Sequence, residues 1–292
     1  MACLGENTIS AFLGGTLPEA RVALVESHLD ECADCRRLLR FTAAGPERLE
    51  AGADAGGYIV ESVLGAGGMG VVYAARDPLL RRRVALKIPL LDPRLSQPFL
   101  AEARAMARVS HRNVVTIYRI GELPDLGVFI AMELIEGRTA WQWLLEKPDA
   151  AEVARVFLQA AQGLAAVHRA GLIHRDFKPE NLLIGADQRV CVSDFGVAQA
   201  AAPSGLVLGT PAYMAPEQLR GEAVDERADV FSFCVALSEA MNGARPAAGQ
   251  ALGAGALAGL IRRGLAADRT QRPMMAELIA QLTRETSNRR AG

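Results

Sequence analysis

The chain has 292 residues, with 32 Lys and Arg against 33 Asp and Glu, a formal net charge of −1, and 50% hydrophobic residues. That length allows one large domain or two smaller ones with a sizeable core, and the balanced charge removes any bulk electrostatic case for nucleic acid as main partner. No apolar run reaches the ~18 residues of a membrane helix and no signal-peptide core opens the chain, so the expectation is a soluble, cytoplasmic protein with no membrane partner.

Residues 1–42 read as one small helical unit. A short amphipathic helix is expected over 8–13, and Gly14 and Gly15 break it. Pro18 then opens a longer helix, with Val22, Val25 and Leu29 near helical spacing. His28, Cys32 and Cys35 follow one another at steps of four and three, which puts them on one helical face. Imidazole plus thiolates is the ligand set of a tetrahedral zinc site, and Cys3 is the candidate fourth ligand. The alternative is a helix with two free thiols and a surface histidine. Zinc is preferred because so small a segment has little core of its own. The segment resembles the zinc-binding domain of anti-sigma factors, which also precedes some bacterial kinases. The resemblance implies a closed structural site and a sigma factor or another regulatory protein as partner. Residues 43–57, rich in Ala, Gly and charge, read as a mobile tether.

A strand is expected over 58–64, ending at Leu64. Gly65, Gly67, Gly68 and Gly70 follow, with Ala66 and Met69 among them, and a second strand over 71–76 contains Val72. Such glycines let a backbone lie close over phosphates with its N–H groups aimed at oxygen, although an ordinary hairpin turn has the same look. Arg81, Arg82 and Arg83 read as a solvated hairpin turn. Val84, Ala85 and Leu86 lead to a strand lysine, Lys87. A helix over 98–109 carries an apolar stripe of Phe99, Ala103, Met106 and Val109, and with it Glu102. Strands over 114–120 and 128–132 complete a five-stranded sheet and run into Met132-Glu133-Leu134-Ile135.

A long helix over 151–170 presents Val153, Val156, Phe157, Ala160, Leu164 and Val167 on one side, with His168 near its end as a cap or packing residue. Next comes His174-Arg175-Asp176-Phe177-Lys178-Pro179-Glu180-Asn181, a polar loop opening onto Leu182, Leu183 and Ile184. Asp176 can accept a hydroxyl proton, Lys178 can neutralise a moving phosphoryl, and Asn181 can hold a metal ion. Asp194-Phe195-Gly196 offers a second carboxylate for Mg²⁺, and Ala215-Pro216-Glu217 lies beyond it.

GxGxxGxV, VALK, HRDFKPEN, DFG and APE stand in this order over about 58–282 and closely resemble the protein kinase signature set. Lys178 in HRDFKPEN, with Gly209-Thr210-Pro211 before APE, looks like the serine/threonine branch of the bacterial eukaryotic-like (Hanks-type) kinases. The resemblance implies an α+β bilobal fold, with a small lobe over 58–134, a large lobe over 135–283 and a tail over 284–292. It implies ATP held by Leu64, Gly65, Ala66, Gly67, Gly68, Met69, Gly70, Val72, Ala85, Leu183, the backbone of Glu133 and Ile135, and Lys87 paired with Glu102. Asn181 and Asp194 would hold Mg²⁺, Asp176 would orient the acceptor hydroxyl of a protein substrate, and Lys178 would screen charge. In the family, the arginine matching Arg175 binds a phosphate on the activation segment. Between Gly196 and Gly209 the only hydroxyl is Ser204, so autophosphorylation is expected there or on Thr210. His174 would be a buried structural imidazole, Asp229 would bond the catalytic-loop backbone, Glu217 would pair with Arg272, and Cys191 and Cys234 would be buried and inert. One departure stands out. Residues 247–256 form a short Gly/Ala stretch where family members usually have a docking helix, which puts protein-substrate docking in doubt and leaves a nucleotide-binding scaffold without turnover as the alternative.

Overall fold

The computed structural model describes residues 8, 12, 17–32, 35, 49–67, 70–89, 96–123, 126–194, 210–246 and 255–288. By their contacts, Met1–Pro93 with Arg119–Met132 form one unit, and Arg94–Tyr118 with Glu133–Gly292 form another. The helix expected over 8–13 lies largely outside the described residues, as do residues 247–254 of the Gly/Ala stretch.

In the first unit, Pro18 caps α1 (Glu19–Glu31), so the expected proline start is where the helix begins. The strands are β1 (Asp54–Ala55), β2 (Tyr58–Gly67), β3 (Gly70–Asp77), β4 (Arg82–Pro89), β5 (Ile117–Leu123) and β6 (Gly127–Glu133). They form one sheet in the order β1-β2-β3-β4-β6-β5. Tyr73, Val84, Leu86 and Phe129 are buried on its core side, and Tyr58 meets Phe129 edge-on at 6.0 Å between ring centroids. Among the described residues the sheet has six strands where five were expected. The extra strand comes from the segment read as a tether: Asp54 pairs with Ile59 and Ala55 with Tyr58. Leu49 packs against the same core and donates its N–H to the Tyr73 hydroxyl at 3.2 Å. Residues 49–57 are therefore fastened to the sheet, because their few apolar groups and backbone N–H groups find partners there.

The second unit contains α2 (Ser96–Met106), β7 (Gly137–Thr139), α3 (Ala140–Leu144), α4 (Ala150–Arg169), β8 (Leu182–Gly185), β9 (Val190–Val192), α5 (Pro216–Leu219), α6 (Glu226–Asn242), α7 (Ala256–Gly264) and α8 (Met275–Asn288). Helix α2, expected with the small lobe, falls by its contacts in this unit. The strand expected from Val114 begins instead at Ile117, and Val114 makes a parallel bridge to Val192. Asp149 starts α4 through a capping box with Glu152. The helix buries the whole expected stripe, Val153 to Val167. Its Gly163 is needed for close approach, since a Cβ there would lie 2.3 Å from the Asn113 carbonyl oxygen. Phe233 of α6 packs against both Phe157 of α4 and Phe177 of the polar loop, each at 5.5 Å between ring centroids, so the loop is anchored in the core by its own aromatic residue. Among the described residues no helix is long and apolar enough to cross a membrane.

Glu217 and Arg272 form the expected buried ion pair. The guanidinium donates to both carboxylate oxygens, at 2.6 and 2.8 Å, with side-chain exposures of 0% for Arg272 and 3% for Glu217. Arg272 also donates to the carbonyls of Ala266, Ala267 and Arg227 and lies over the Phe231 ring. Burial pushes the Glu217 carboxyl up, but the Arg272 hydrogen bonds outweigh it and hold the group below its usual range. Glu217→Gln leaves a buried guanidinium without its counter-charge and is expected to lose about 3–5 kcal/mol in denaturant unfolding. Because the folded-state value is depressed, the wild-type contribution is full above the ordinary carboxyl range and is lost as pH falls through the folded value. The gap between wild type and variant should therefore shrink in acid and stay constant at neutral pH.

Candidate active site

The second unit builds its polar loop on one carboxylate. Asp229 in the first turn of α6 is fully buried, in a helix otherwise lined with Val230, Phe233, Val235 and Leu237. It accepts hydrogen bonds from the backbone N–H of His174 and of Arg175, both at 2.8 Å, and from His168 Nε2 at 2.7 Å. Burial pushes its carboxyl up, but the His168 bond and these amides more than offset that, and the group stays ionised. His168, expected to be a cap or packing residue, thus joins the end of α4 to the start of α6. Arg175 sits at φ +66°, a left-handed conformation that costs a non-glycine residue on the order of 1 kcal/mol. Its N–H bond to Asp229 and the bond from Gln218 Nε2 to its carbonyl, 2.8 Å, hold it there.

His174 is fully buried, as expected, and burial lowers its pKa despite the nearby Asp229 and Asp176 carboxylates. The neutral ring accepts from the Asp176 N–H through Nδ1 at 3.2 Å, so Nε2 carries the proton and donates to the Ser193 carbonyl at 3.0 Å. Both nitrogens are committed, and His174 cannot serve as a base.

Asp176, 5% exposed, is surrounded by donors. Its Oδ2 takes Asn181 Nδ2 and Lys178 Nζ, each at 3.1 Å, and its Oδ1 takes the Thr210 N–H at 3.3 Å. Lys178 Nζ also donates to the Thr210 hydroxyl at 2.6 Å. Thr210 thus meets Lys178 through its hydroxyl and Asp176 through its amide. Asn181 spends its amide nitrogen on Asp176, including the Asp176 carbonyl at 2.8 Å, and its backbone carbonyl accepts from Ser193. Its amide oxygen is the atom left for a cation. Asp194 follows on the same strand exit at φ +51°. An amide oxygen and a carboxylate are hard donors of the kind that suit Mg²⁺.

Glu102 of α2 is half-buried, with Oε1 3.8 Å from Arg175 Nη1. Burial raises its carboxyl to about 7, with Arg175 pulling the other way. Glu133 ends β6, donates its N–H to the Thr116 carbonyl at 2.8 Å and forms an ion pair with Arg189. Ile135 follows within the segment that leads to β7, and Leu183 is half-buried in β8. Cys191 and Cys234 are buried, and burial raises their thiols to about 11 and about 12, so both are inert at neutral pH.

The first unit holds the other expected residues. Leu64, Gly65, Ala66 and Gly67 end β2 and Gly70 begins β3, while Gly68 and Met69 lie outside the described residues. Gly70 sits at φ +130°, and a Cβ there would lie 2.3 Å from the Ile88 carbonyl oxygen, so only glycine fits. Val72 of β3 pairs directly with Lys87 of β4, and Ala85 is buried beside it. At the N-terminus the ligand atoms of His28, Cys32 and Cys35 all lie within 4.8 Å of one another, with His28 Nε2 3.2 Å from Cys35 Sγ. Zinc bonds of roughly 2.1 Å to nitrogen and 2.3 Å to sulfur place tetrahedral ligands at comparable separations, so the cluster fits the metal. Cys3 and Ser204 lie outside the described residues.

Sequence reasoning gave His168 only a capping or packing role and missed Ser193, Gln218 and Arg189. Each acts on a residue distant in the chain, and no local spacing reveals it.

The model of the protein kinase domain family matches residues 58–292, and a zinc-finger family model matches residues 7–36. Serine/threonine-protein kinase PknL of Mycobacterium tuberculosis is 42% identical over 206 residues, covering 66% of this chain and 51% of its own length. Serine/threonine-protein kinase PknJ of the same organism is 39% identical over 229 residues, covering 73% of this chain and 38% of its own. Serine/threonine-protein kinase pkn3 of Myxococcus xanthus is 38% identical over 208 residues, covering 65% and 38%. The chain thus spans about half or less of the length of these relatives. It belongs to the protein kinase family and carries a zinc-finger segment ahead of the kinase domain.

Proposed function

We propose that the protein is a serine/threonine kinase that transfers the γ-phosphoryl of Mg-ATP to Ser or Thr hydroxyls of proteins, itself included, in bacterial signalling. The observation that carries this is the Asp176 carboxylate, held by Asn181, Lys178 and the Thr210 amide, with a hydroxyl already seated on Lys178. An acceptor hydroxyl placed beside Asp176 gives up its proton to that carboxylate as its oxygen bonds to the γ-phosphorus. The bond from that phosphorus to the bridging oxygen breaks, and ADP carries away the electron pair. Lys178 screens the charge on the moving group, and positioning supplies most of the rate. Asn181, through its amide oxygen, and Asp194 would hold Mg²⁺, which neutralises triphosphate charge when bound.

In this reading Lys87, paired with Glu102, takes the α- and β-phosphates under the glycine loop from Leu64 to Gly70. Val72, Ala85 and Leu183 pack on the base. Since the Glu133 N–H is committed to Thr116, adenine takes the Glu133 carbonyl and the backbone of Ile135. With the Thr210 hydroxyl held by Lys178, Ser204 is the favoured site of autophosphorylation. The zinc-finger segment docks a regulatory protein, a sigma factor being one class, and the protein works in the cytoplasm.

Asp176→Asn is expected to lower ATP-dependent phosphorylation, read by mass spectrometry on the protein and a generic basic substrate, by about a hundredfold or more while nucleotide still binds. Turnover equal to wild type would remove Asp176 from the chemistry. The full-length protein should contain about one zinc per chain by elemental analysis, and the Cys32→Ser, Cys35→Ser double variant should contain none. Equal zinc in both would show that the metal sits elsewhere.

A further inference from the structure

The backbone expected to meet adenine, at Glu133 and Ile135, is tied at both ends to one hairpin turn. That turn joins β8 to β9 and runs from Gly185 to Val190. At one end of the segment, Arg189 reaches out and forms an ion pair with the Glu133 carboxylate through Nη2 and Oε1. The pair is mostly shielded, with side-chain exposures of 26% for Arg189 and 19% for Glu133. The second Glu133 oxygen faces the Thr116 N–H at 3.4 Å, so the carboxylate bridges two elements. At the other end, Ala186 donates its N–H to the Glu136 carbonyl at 2.9 Å, and Gly185 pairs with Gly137. Between the two ties the turn lies against Ile135, since a Cβ on Gly185 would sit 3.5 Å from Ile135 Cγ2.

The turn is itself rigid. Asp187 accepts the Arg189 N–H at 3.0 Å and lies 4.0 Å from its guanidinium, which orients the side chain toward Glu133. The Arg189 carbonyl accepts from Gly185 at 2.9 Å. Gln159 of α4 donates to the Gln188 carbonyl at 3.2 Å and accepts from the Val190 N–H at 3.2 Å, so the long core helix supports the turn from below.

We propose that Arg189 is a positioning residue for the nucleobase: through its ion pair with Glu133 it fixes the backbone that hydrogen-bonds adenine. This rests on the kinase reading above and deepens it. Adenine recognition uses two or three backbone groups whose directions must be set before binding. A planar guanidinium on a carboxylate fixes such a direction better than a single neutral hydrogen bond. In that reading Arg189 is engaged with Glu133 and Asp187, and the phosphates and the reacting hydroxyl are held by other residues. Its loss should therefore fall on the base alone.

The test is calorimetric binding of adenosine and of Mg²⁺ with a non-hydrolysable ATP analogue to the full-length protein. Arg189→Gln is expected to weaken both by the same factor, about tenfold, because both contain the base. Asp194→Asn is expected to weaken the Mg-nucleotide and leave adenosine unchanged, which separates base from phosphate. Arg189→Lys, keeping the charge but not the planar fork, should recover part of the loss, as a purely structural role would not require. If Arg189→Gln fails to fold, Glu133→Gln, which keeps side-chain length and loses the charge, decides in its place. Adenosine affinity in the folded variant equal to wild type overturns the clamp and leaves the kinase reading standing. A wild-type protein that binds neither ligand overturns both.

Discussion

Asp229 is the constraint on which the active-site geometry depends. A carboxylate with no solvent contact is costly unless every lone pair meets a donor, and here the donors are two successive loop amides and one imidazole. The arrangement works in both directions. The amides keep the buried charge tolerable, and the charge keeps His174 and Arg175 in a backbone conformation that Arg175 would not adopt alone. Once those two residues are set, the chain direction into Asp176 follows. Phe177, packed on Phe233, which also meets Phe157, fixes the next step. The side chains proposed for catalysis, Asp176, Lys178 and Asn181, are thereby presented from a loop that behaves as part of the core.

The apolar character of α6 has its explanation here. A helix buried on nearly all sides is poor at presenting a functional group, but very good at excluding water from one. Its first turn places Asp229 at the helix N-terminus, where the backbone N–H groups favour negative charge. His168 then connects the same carboxylate to the end of α4. The two longest helices of the unit are joined through the group that shapes the catalytic loop. The Glu217–Arg272 pair plays a parallel part further along. Arg272 also gathers the carbonyls of Arg227, Ala266 and Ala267, so the segment after Thr210 is anchored to the start of α6 and to the approach to α8.

What could be read in the sequence was what chemistry writes locally. His174 to Asn181 are contiguous because base, cation and amide must converge within one loop, and the glycine run and the strand lysine are equally compact signals. The stripe of α4 was legible because a helix with one buried face repeats its apolar residues near 3.6 positions. The strand count was less legible. Two residues, Asp54 and Ala55, carry no alternating pattern, and their place in the sheet comes from pairing with β2 and from Leu49 reaching Tyr73. Helix α2 was expected as a small-lobe element from the resemblance, yet by its contacts it falls with Arg94–Tyr118 in the second unit. The pairs His168–Asp229 and Arg189–Glu133 join residues 61 and 56 positions apart, and each partner alone looks like an ordinary charged side chain.

The site is best understood through the atoms that its own scaffold has already committed. Both ring nitrogens of His174 are used, which removes the most familiar proton acceptor from a loop that contains one and leaves Asp176. The amide nitrogen of Asn181 is used on Asp176, which leaves the oxygen as the atom that would meet a cation in the proposed function. The N–H of Glu133 is used on Thr116, so in the proposed function only its carbonyl would be left for adenine. In each case a side chain or backbone group with two possible roles is left with one by a hydrogen bond from elsewhere in the unit. Specificity of role is therefore a property of the hydrogen-bond network as a whole. A substitution that frees one of these atoms should change what the site can bind before it changes whether the chain folds.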